Sequence, residues 1–182
     1  MVVDRYLDTA DGALEAADAR IRLRESKGVV TATLKRRGVV AAGGVTSRVE
    51  LEAPATPSLD PAEWPPSAAR EALEDIVGPA LLVETARLRQ RRHVRDVVRG
   101  GTRVELSLDR LEALDGEEVV GTRWELEAEL KAGRRDDLAE LSNALQVLPG
   151  ASLAAESKRL FAMLAVAAAR RRDAGSANTR LL

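Results

Sequence analysis

The sequence predicts an α+β fold built on antiparallel strands. Three observations carry this. Apolar and polar residues alternate in a series of segments between residues 19 and 131, among them 19–25, 29–36, 45–53, 102–111 and 122–131, the period of a half-buried strand. The alternating runs are separated by glycine-bearing turn sequences, Lys27-Gly28, Gly43-Gly44, Gly100-Gly101 and Asp115-Gly116, which suit hairpins. Helical spacing of apolar residues is confined to one short internal segment and to the C-terminal third, so helices fall between and after the strands.

Each element follows from its residues. Met1 to Thr9 reads as a short extended segment. In Ala19 to Glu25, Arg20, Arg22 and Arg24 share one face and Ile21 and Leu23 the other. Val29 to Arg36 places Thr31, Thr33 and Lys35 opposite Val30, Ala32 and Leu34. Val45 to Ala53 sets Arg48, Glu50 and Glu52 against Val49 and Leu51. A loop with Pro54, Pro57, Pro61, Pro65 and Pro66 follows, and Ser67 then suits the N-cap of a helix ending near Val77, closed by Gly78. Leu81 to Val98 reads as strand with a bend near Arg92, and in it Arg87, Arg89 and Arg91 alternate with Leu88 and Gln90. Thr102 to Leu111 and Thr122 to Lys131 form the last strand pair. Their charged rows are Arg103, Glu105 and Asp109 on one, and Arg123, Glu125, Glu127, Glu129 and Lys131 on the other. Arg134 to Val147 and Ser152 to about Arg172 carry leucines at helical spacing, and residues 173–182 read as a tail or linker after a domain over 1–172.

Composition excludes several functions. The chain has 182 residues, which suits one domain. It contains no Cys and a single His, His93, so thiol nucleophiles, disulfides and His- or Cys-based metal sites are ruled out. Any metal would need oxygen ligands. With 28 basic against 29 acidic residues the net charge is −1, which argues against a general nucleic-acid binder. Aromatics make up 2%, too few for a base-stacking platform. Met1-Val2-Val3-Asp4-Arg5 runs straight into charge, and no apolar run approaches the roughly 18 residues of a membrane span. The expectation is therefore a cytoplasmic protein without membrane or nucleic-acid partners. Trp64 and Trp124 are expected in packing, and His93 at a surface or strand end.

The unusual feature is the polar face of the strands, which carries mostly arginines and carboxylates. All but four of the basic residues are arginine, whose planar fork suits phosphate. One reading is a solvated face laced with weak surface ion pairs. The other is a concave site where guanidinium rows hold a polyanion and carboxylate rows hold divalent cations.

Tyr6-Leu7-Asp8-Thr9, Leu14, Ile21-Arg22-Leu23-Arg24, Thr33-Leu34-Lys35 and Arg48-Val49-Glu50-Leu51-Glu52 occur in an order that resembles the CYTH superfamily of triphosphate tunnel metalloenzymes. The second half agrees: Thr85-Ala86-Arg87-Leu88-Arg89, Glu105-Leu106-Ser107-Leu108-Asp109, Glu125 through Gly133, and Ser157-Lys158. The resemblance spans about residues 4 to 165 and implies an antiparallel β-barrel enclosing a triphosphate tunnel. It implies Arg22, Arg24, Lys35, Arg87, Arg89 and Lys158 as phosphate ligands. Glu50, Glu105, Asp109, Glu125 and Glu127 would be ligands of Mg²⁺ or Mn²⁺, with Glu52 at the margin. No protein nucleophile is implied.

The family's Glu-x-Glu-x-Lys motif lies on a strand upstream of Tyr-x-Asp-Thr. Met1 stands only a few residues before Tyr6, so the expected barrel has its first strand missing. Glu127-Ala128-Glu129-Leu130-Lys131 spells the motif, but on a late strand. The resemblance thus implies a divalent-metal-dependent hydrolase of inorganic triphosphate, polyphosphate or another triphosphorylated small molecule, provided the motif is encoded upstream. The alternative is a triphosphate- or polyphosphate-binding module with weak or no turnover. Longer relatives would link the domain to a CHAD-type domain.

Overall fold

A computed structural model describes residues 1–36, 49–150, 152 and 156–178. The described residues form a seven-stranded antiparallel sheet with four α-helices. The order of elements is β1 (Val2–Thr9), α1 (Ala13–Ala16), β2 (Ala19–Ser26), β3 (Val29–Arg36), β4 (Val49–Pro54), α2 (Ala68–Val77), β5 (Leu82–Arg99), β6 (Thr102–Asp115), β7 (Glu118–Ala132), α3 (Arg135–Gln146) and α4 (Lys158–Asn178). The sheet order is β4-β3-β2-β1-β5-β6-β7. This bears out the antiparallel α+β class with helices between and after the strands. The described chain opens on a strand, β1. The Gly43-Gly44 turn and residues 45–48 of the expected third strand lie outside the described residues. None of the described helices is long and apolar enough to cross a membrane.

Two compact units are present, residues 1–89 and 90–182. In the first, β1, β2, β3 and β4 pair antiparallel in succession, with Asp4 opposite Arg24, Tyr6 opposite Arg22, Arg22 opposite Thr33, and Lys35 opposite Glu50. Ile21, Leu23 and Leu34 are buried with Leu7, Leu14, Trp64, Leu73 and Val77. Each such side chain contributes about 1.5–3 kcal/mol on burial. That burial fixes the register, since a slip of one residue would turn Arg22 and Arg24 into this core. The β2–β3 turn is the expected hairpin, with Lys27 at φ 51° and Gly28 at φ 78°. Helix α2 begins where the sequence predicts: Ser67 Oγ accepts from Arg70 N at 3.2 Å, and Gly78 closes it with positive φ.

The Tyr-Leu-Asp-Thr segment has a structural role of its own. Asp8 is buried, and its carboxylate accepts from the backbone N–H groups of Thr9, Leu14 and Glu15 at 2.8, 2.9 and 3.2 Å. Thr9 Oγ1 accepts from Ala13 N at 2.8 Å. These bonds satisfy the otherwise unpaired donors at the start of α1.

In the second unit β6 and β7 form a long hairpin, with register shifts between Arg103 and Val104 and between Ala113 and Leu114. Strand β5 continues from Leu82 to Arg99, so the expected bend near Arg92 does not interrupt it; no Gly or Pro falls in the run. Helix α4 starts at Lys158 rather than near Ser152, and it continues past Arg172 to Asn178 because nothing in Ala167 to Ala174 breaks a helix.

The two units cover their sheet faces differently. In the first, the apolar face is buried, as expected. In the second, α4 packs on the charged face. A Cβ added at Gly121 would lie 2.9 Å from Ala165 Cβ and 3.8 Å from Ala113 Cβ, so these share a face with Arg123 and Asp109. The middle of the opposite row is left in solvent: Trp124 is 60% exposed, Leu126 44% and Leu108 41%, while Val104 near its end is buried. Trp124 is therefore not in the core, which corrects the packing expected of it. Trp64 is, with Nε1 donating to Ser58 O at 2.9 Å. His93 is exposed, as expected.

Candidate functional site

In the first unit, the polar faces of β1, β2 and β3 bring Asp4, Tyr6, Arg22, Arg24, Thr33 and Lys35 together. The Asp4 carboxylate is fully buried and accepts from Arg24 Nε and Nη2 at 2.7 and 2.8 Å, a bidentate charge-assisted pair. Arg22 is held more loosely. Its Nη1 stands 3.6 Å from Asp4, and its Nη2 donates to Thr33 Oγ1 at 3.3 Å. Its Nε is buried with no hydrogen-bond partner. Thr33 Oγ1 in turn donates to Glu52 at 3.2 Å. Burial, with Asp4 adding to it, pushes the Tyr6 phenol up to about 12 against the opposing pull of Arg22 and Arg24. Tyr6 therefore stays a neutral hydroxyl at physiological pH.

Lys35 donates to Glu50 at 2.8 Å at the exposed end of this face. Arg87 lies in a separate group: its Nε and Nη2 donate to Glu84, which also accepts from Arg5 at 2.6 Å. Burial pushes the Glu84 carboxyl up, but hydrogen bonds from Arg87 and Arg5 outweigh it and hold it below the usual carboxylate range. Arg89 is half-buried.

In the second unit Asp109 and Glu127 face two cations. Arg92 Nε and Nη2 donate to Asp109 at 2.7 and 2.6 Å, and Nη2 also reaches Glu127 at 2.9 Å. Lys158 Nζ, from the start of α4, lies 2.6 Å from Asp109 Oδ2 and 3.0 Å from Glu127 Oε1. The Asp109 side chain is fully buried and that of Lys158 is 11% exposed. Burial pushes the Asp109 carboxyl up, but the hydrogen bonds and charges of Arg92 and Lys158 prevail and keep it below the usual range.

Next along the face, Arg123 pairs with Glu125 at 2.9 Å and Glu156 at 3.1 Å and lies over the Phe161 ring at 4.5 Å. Its Nε, like that of Arg22, is buried and has no hydrogen-bond partner. Lys131 sits 2.8 Å from Glu129 and 3.7 Å from Glu105.

The residues expected from the sequence thus fall into separate groups. Arg22 and Arg24 meet on one carboxylate, and Lys158 joins Asp109 and Glu127. Glu50, Glu105 and Glu125 each stand beside a different basic partner. Among the described residues, no three acidic or His side chains converge on a common point that could hold a metal ion. Each of the five acids expected as metal ligands already faces a Lys or Arg of the chain. Asp4, Arg5, Glu84, Arg92, Arg123 and Glu156 join these groups without being among the expected site residues. Arg92 is not legible from the Arg87, Arg89 and Arg91 alternation, because it stands at the opposite parity.

Comparison with known proteins agrees with this architecture. No curated protein matches the sequence. A solved structure from Bacillus halodurans, described as that of a candidate adenylate cyclase, superposes with a TM-score of 0.63 at 18% identity, covering 86% of this chain and 79% of that one. A Hippeastrum protein, described as a candidate adenylyl cyclase with a dominant triphosphatase activity, superposes with a TM-score of 0.57 at 21% identity, covering 84% and 78%. At these identities the likeness is one of fold. The CYTH domain matches residues 2–159, and with most of its length inside that match the chain belongs to the CYTH domain family.

Proposed function

We propose that this chain takes up the triphosphate group of a small molecule, inorganic triphosphate being the simplest, and acts on its phosphoanhydride bond as a hydrolase. The observation that carries the reading is Arg22. A buried guanidinium N–H without a partner is costly unless something answers it, and here it sits beside Arg24 on the row the family resemblance assigns to phosphate. A phosphate oxygen is the natural acceptor for such a fork. Family membership supports the substrate class, and the triphosphatase activity named for the Hippeastrum protein supports the reaction class.

The chain's own residues account for binding and orientation. Arg22 and Arg24 supply the positive charge; Asp4 holds the Arg24 fork, and Thr33 contacts the looser Arg22. Tyr6 adds a neutral hydroxyl beside them. A divalent ion, when bound in this family, would supply charge neutralisation and an activated water. The five acids expected as ligands do not fit such an ion as they stand, because each is engaged by a basic side chain. That observation favours a second reading, a triphosphate- or polyphosphate-binding module with little turnover.

The test compares wild type with Arg22→Ala. Triphosphate, polyphosphate and ATP are each added at about 100 times the dissociation constant, where a ligand specific to the folded state stabilises by roughly 2.7 kcal/mol. The expected result is a rise in Tm with triphosphate, lost in the variant. Phosphate release in the same samples separates hydrolase from binding module. No Tm response to any of the three anions would overturn both.

A further inference from the structure

We propose that Asp109 and Glu127 serve as the counter-ions of Arg92 and Lys158 rather than as divalent-cation ligands, so that this cluster of the second unit takes up phosphate oxygens without divalent metal. The anion is of the class proposed above, on which this inference rests; the geometry is that of the second unit alone.

The Lys158 ammonium stands 2.6 Å from one carboxylate and 3.0 Å from the other, the place a bridging hard cation would need. Arg92 closes the other side with three contacts of 2.6 to 2.9 Å. Two positive and two negative charges cancel within the cluster. A divalent ion entering it would gain no net attraction and would have to displace a cation from buried Asp109. The displaced ammonium, anchored at the first residue of α4, would remain close to the ion and repel it.

A polyphosphate meets no such obstacle. The bonds described use Nε and Nη2 of Arg92 and leave Nη1 out. Lys158 has three N–H donors, and the two carboxylates engage two of them. An anion can therefore add to the cluster without breaking its pairs, which a metal ion cannot do. The two readings also predict opposite signs for Glu127→Gln. Removing a ligand weakens a metal-bridged complex, whereas removing a counter-ion frees positive charge for the phosphate.

Three measurements on the full chain test this. Mn²⁺ is titrated in the absence of phosphates and followed by the EPR signal of the free ion. Triphosphate is titrated by calorimetry in EDTA and in Mg²⁺. Both are repeated with Glu127→Gln, a partly exposed position whose variant should fold. The expected results are no stoichiometric Mn²⁺ uptake, triphosphate binding that survives EDTA, and binding roughly three- to fivefold tighter in the variant, the effect of about one surface ion pair. Stoichiometric Mn²⁺ uptake that the variant abolishes, or triphosphate binding that requires Mg²⁺ and weakens in the variant, would overturn the inference. If triphosphate binds under neither condition, the anion reading above falls; the Mn²⁺ titration then still decides the counter-ion role by the presence or absence of uptake.

Discussion

Arg24 grips Asp4 through two parallel hydrogen bonds of 2.7 and 2.8 Å across the β1–β2 pair, and Asp4 has no exposed side-chain surface. A buried carboxylate cannot be left alone. Arg24→Ala is therefore expected to cost about 3–5 kcal/mol of stability, the usual consequence of removing one partner of a buried pair. Urea denaturation of the variant measures it. A loss under about 1 kcal/mol, the range of an exposed pair, would show that Arg22 or water replaces the missing guanidinium.

Arg22→Ala is expected to behave in the opposite way. Its contacts to Asp4 and Thr33, at 3.6 and 3.3 Å, are long, and its Nε makes none. Stability should fall by only about 1 kcal/mol or less, while the Tm shift produced by triphosphate should disappear. Arg22→Lys should recover part of that shift, since an ammonium retains the charge but not the fork. The pair of variants separates binding from folding.

Acid should weaken the fold through Asp109 and Glu84. Both carboxyls are held below their usual range in the folded chain, against about 3.9 and 4.3 when unfolded. A depressed folded-state value contributes stability that is fully present above the unfolded value and is lost as pH falls through the folded one. Stability by urea denaturation should thus be flat from pH 7 to about 5 and decline below about pH 4. Asp109→Asn should be less stable at pH 7 and show a shallower decline in acid. A variant with the wild-type acid slope would remove Asp109 from this account.

At Gly121 the helix α4 packs closely on the sheet. A Cβ there would lie 2.9 Å from Ala165 Cβ, tighter than carbon atoms pack. Gly121→Val should displace α4 and cost about 1–3 kcal/mol. Because α4 carries Lys158, the variant should also loosen the Lys158–Asp109 contact, measurable as faster amide exchange at the start of the helix.

Ser67→Ala tests a feature foreseen from the sequence. The hydroxyl accepts from Arg70 N at the start of α2, and its loss should cost about 1 kcal/mol. Ser67→Asp should retain most of the stability, since a carboxylate caps as well and suits the helix N-terminus.

The sequence by itself determined the strands, their polarity and the α2 cap. These are local properties: a period of two decides which face a side chain takes, Lys27-Gly28 can turn only one way, and Ser67 caps the helix that starts beside it. It also determined that Arg22 and Arg24 would share a face with Lys35, since β2 and β3 are a hairpin with one register. The family followed from the ordered set of motifs, none of them specific alone.

Tertiary structure alone decided which charges meet. Arg92 reaches Asp109 from 17 residues away, and Lys158 reaches it from 49; alternation carries no information about such distances. It also decided that α4 lies on the charged face of β6 and β7, which leaves Trp124 and Leu126 in solvent and brings Lys158 onto two carboxylates. Periodicity distinguishes two faces of a strand, but not which face a helix will cover. That choice depends on the packing of Gly121, Ala113 and Ala165, small residues whose closeness appears only when the chain is folded.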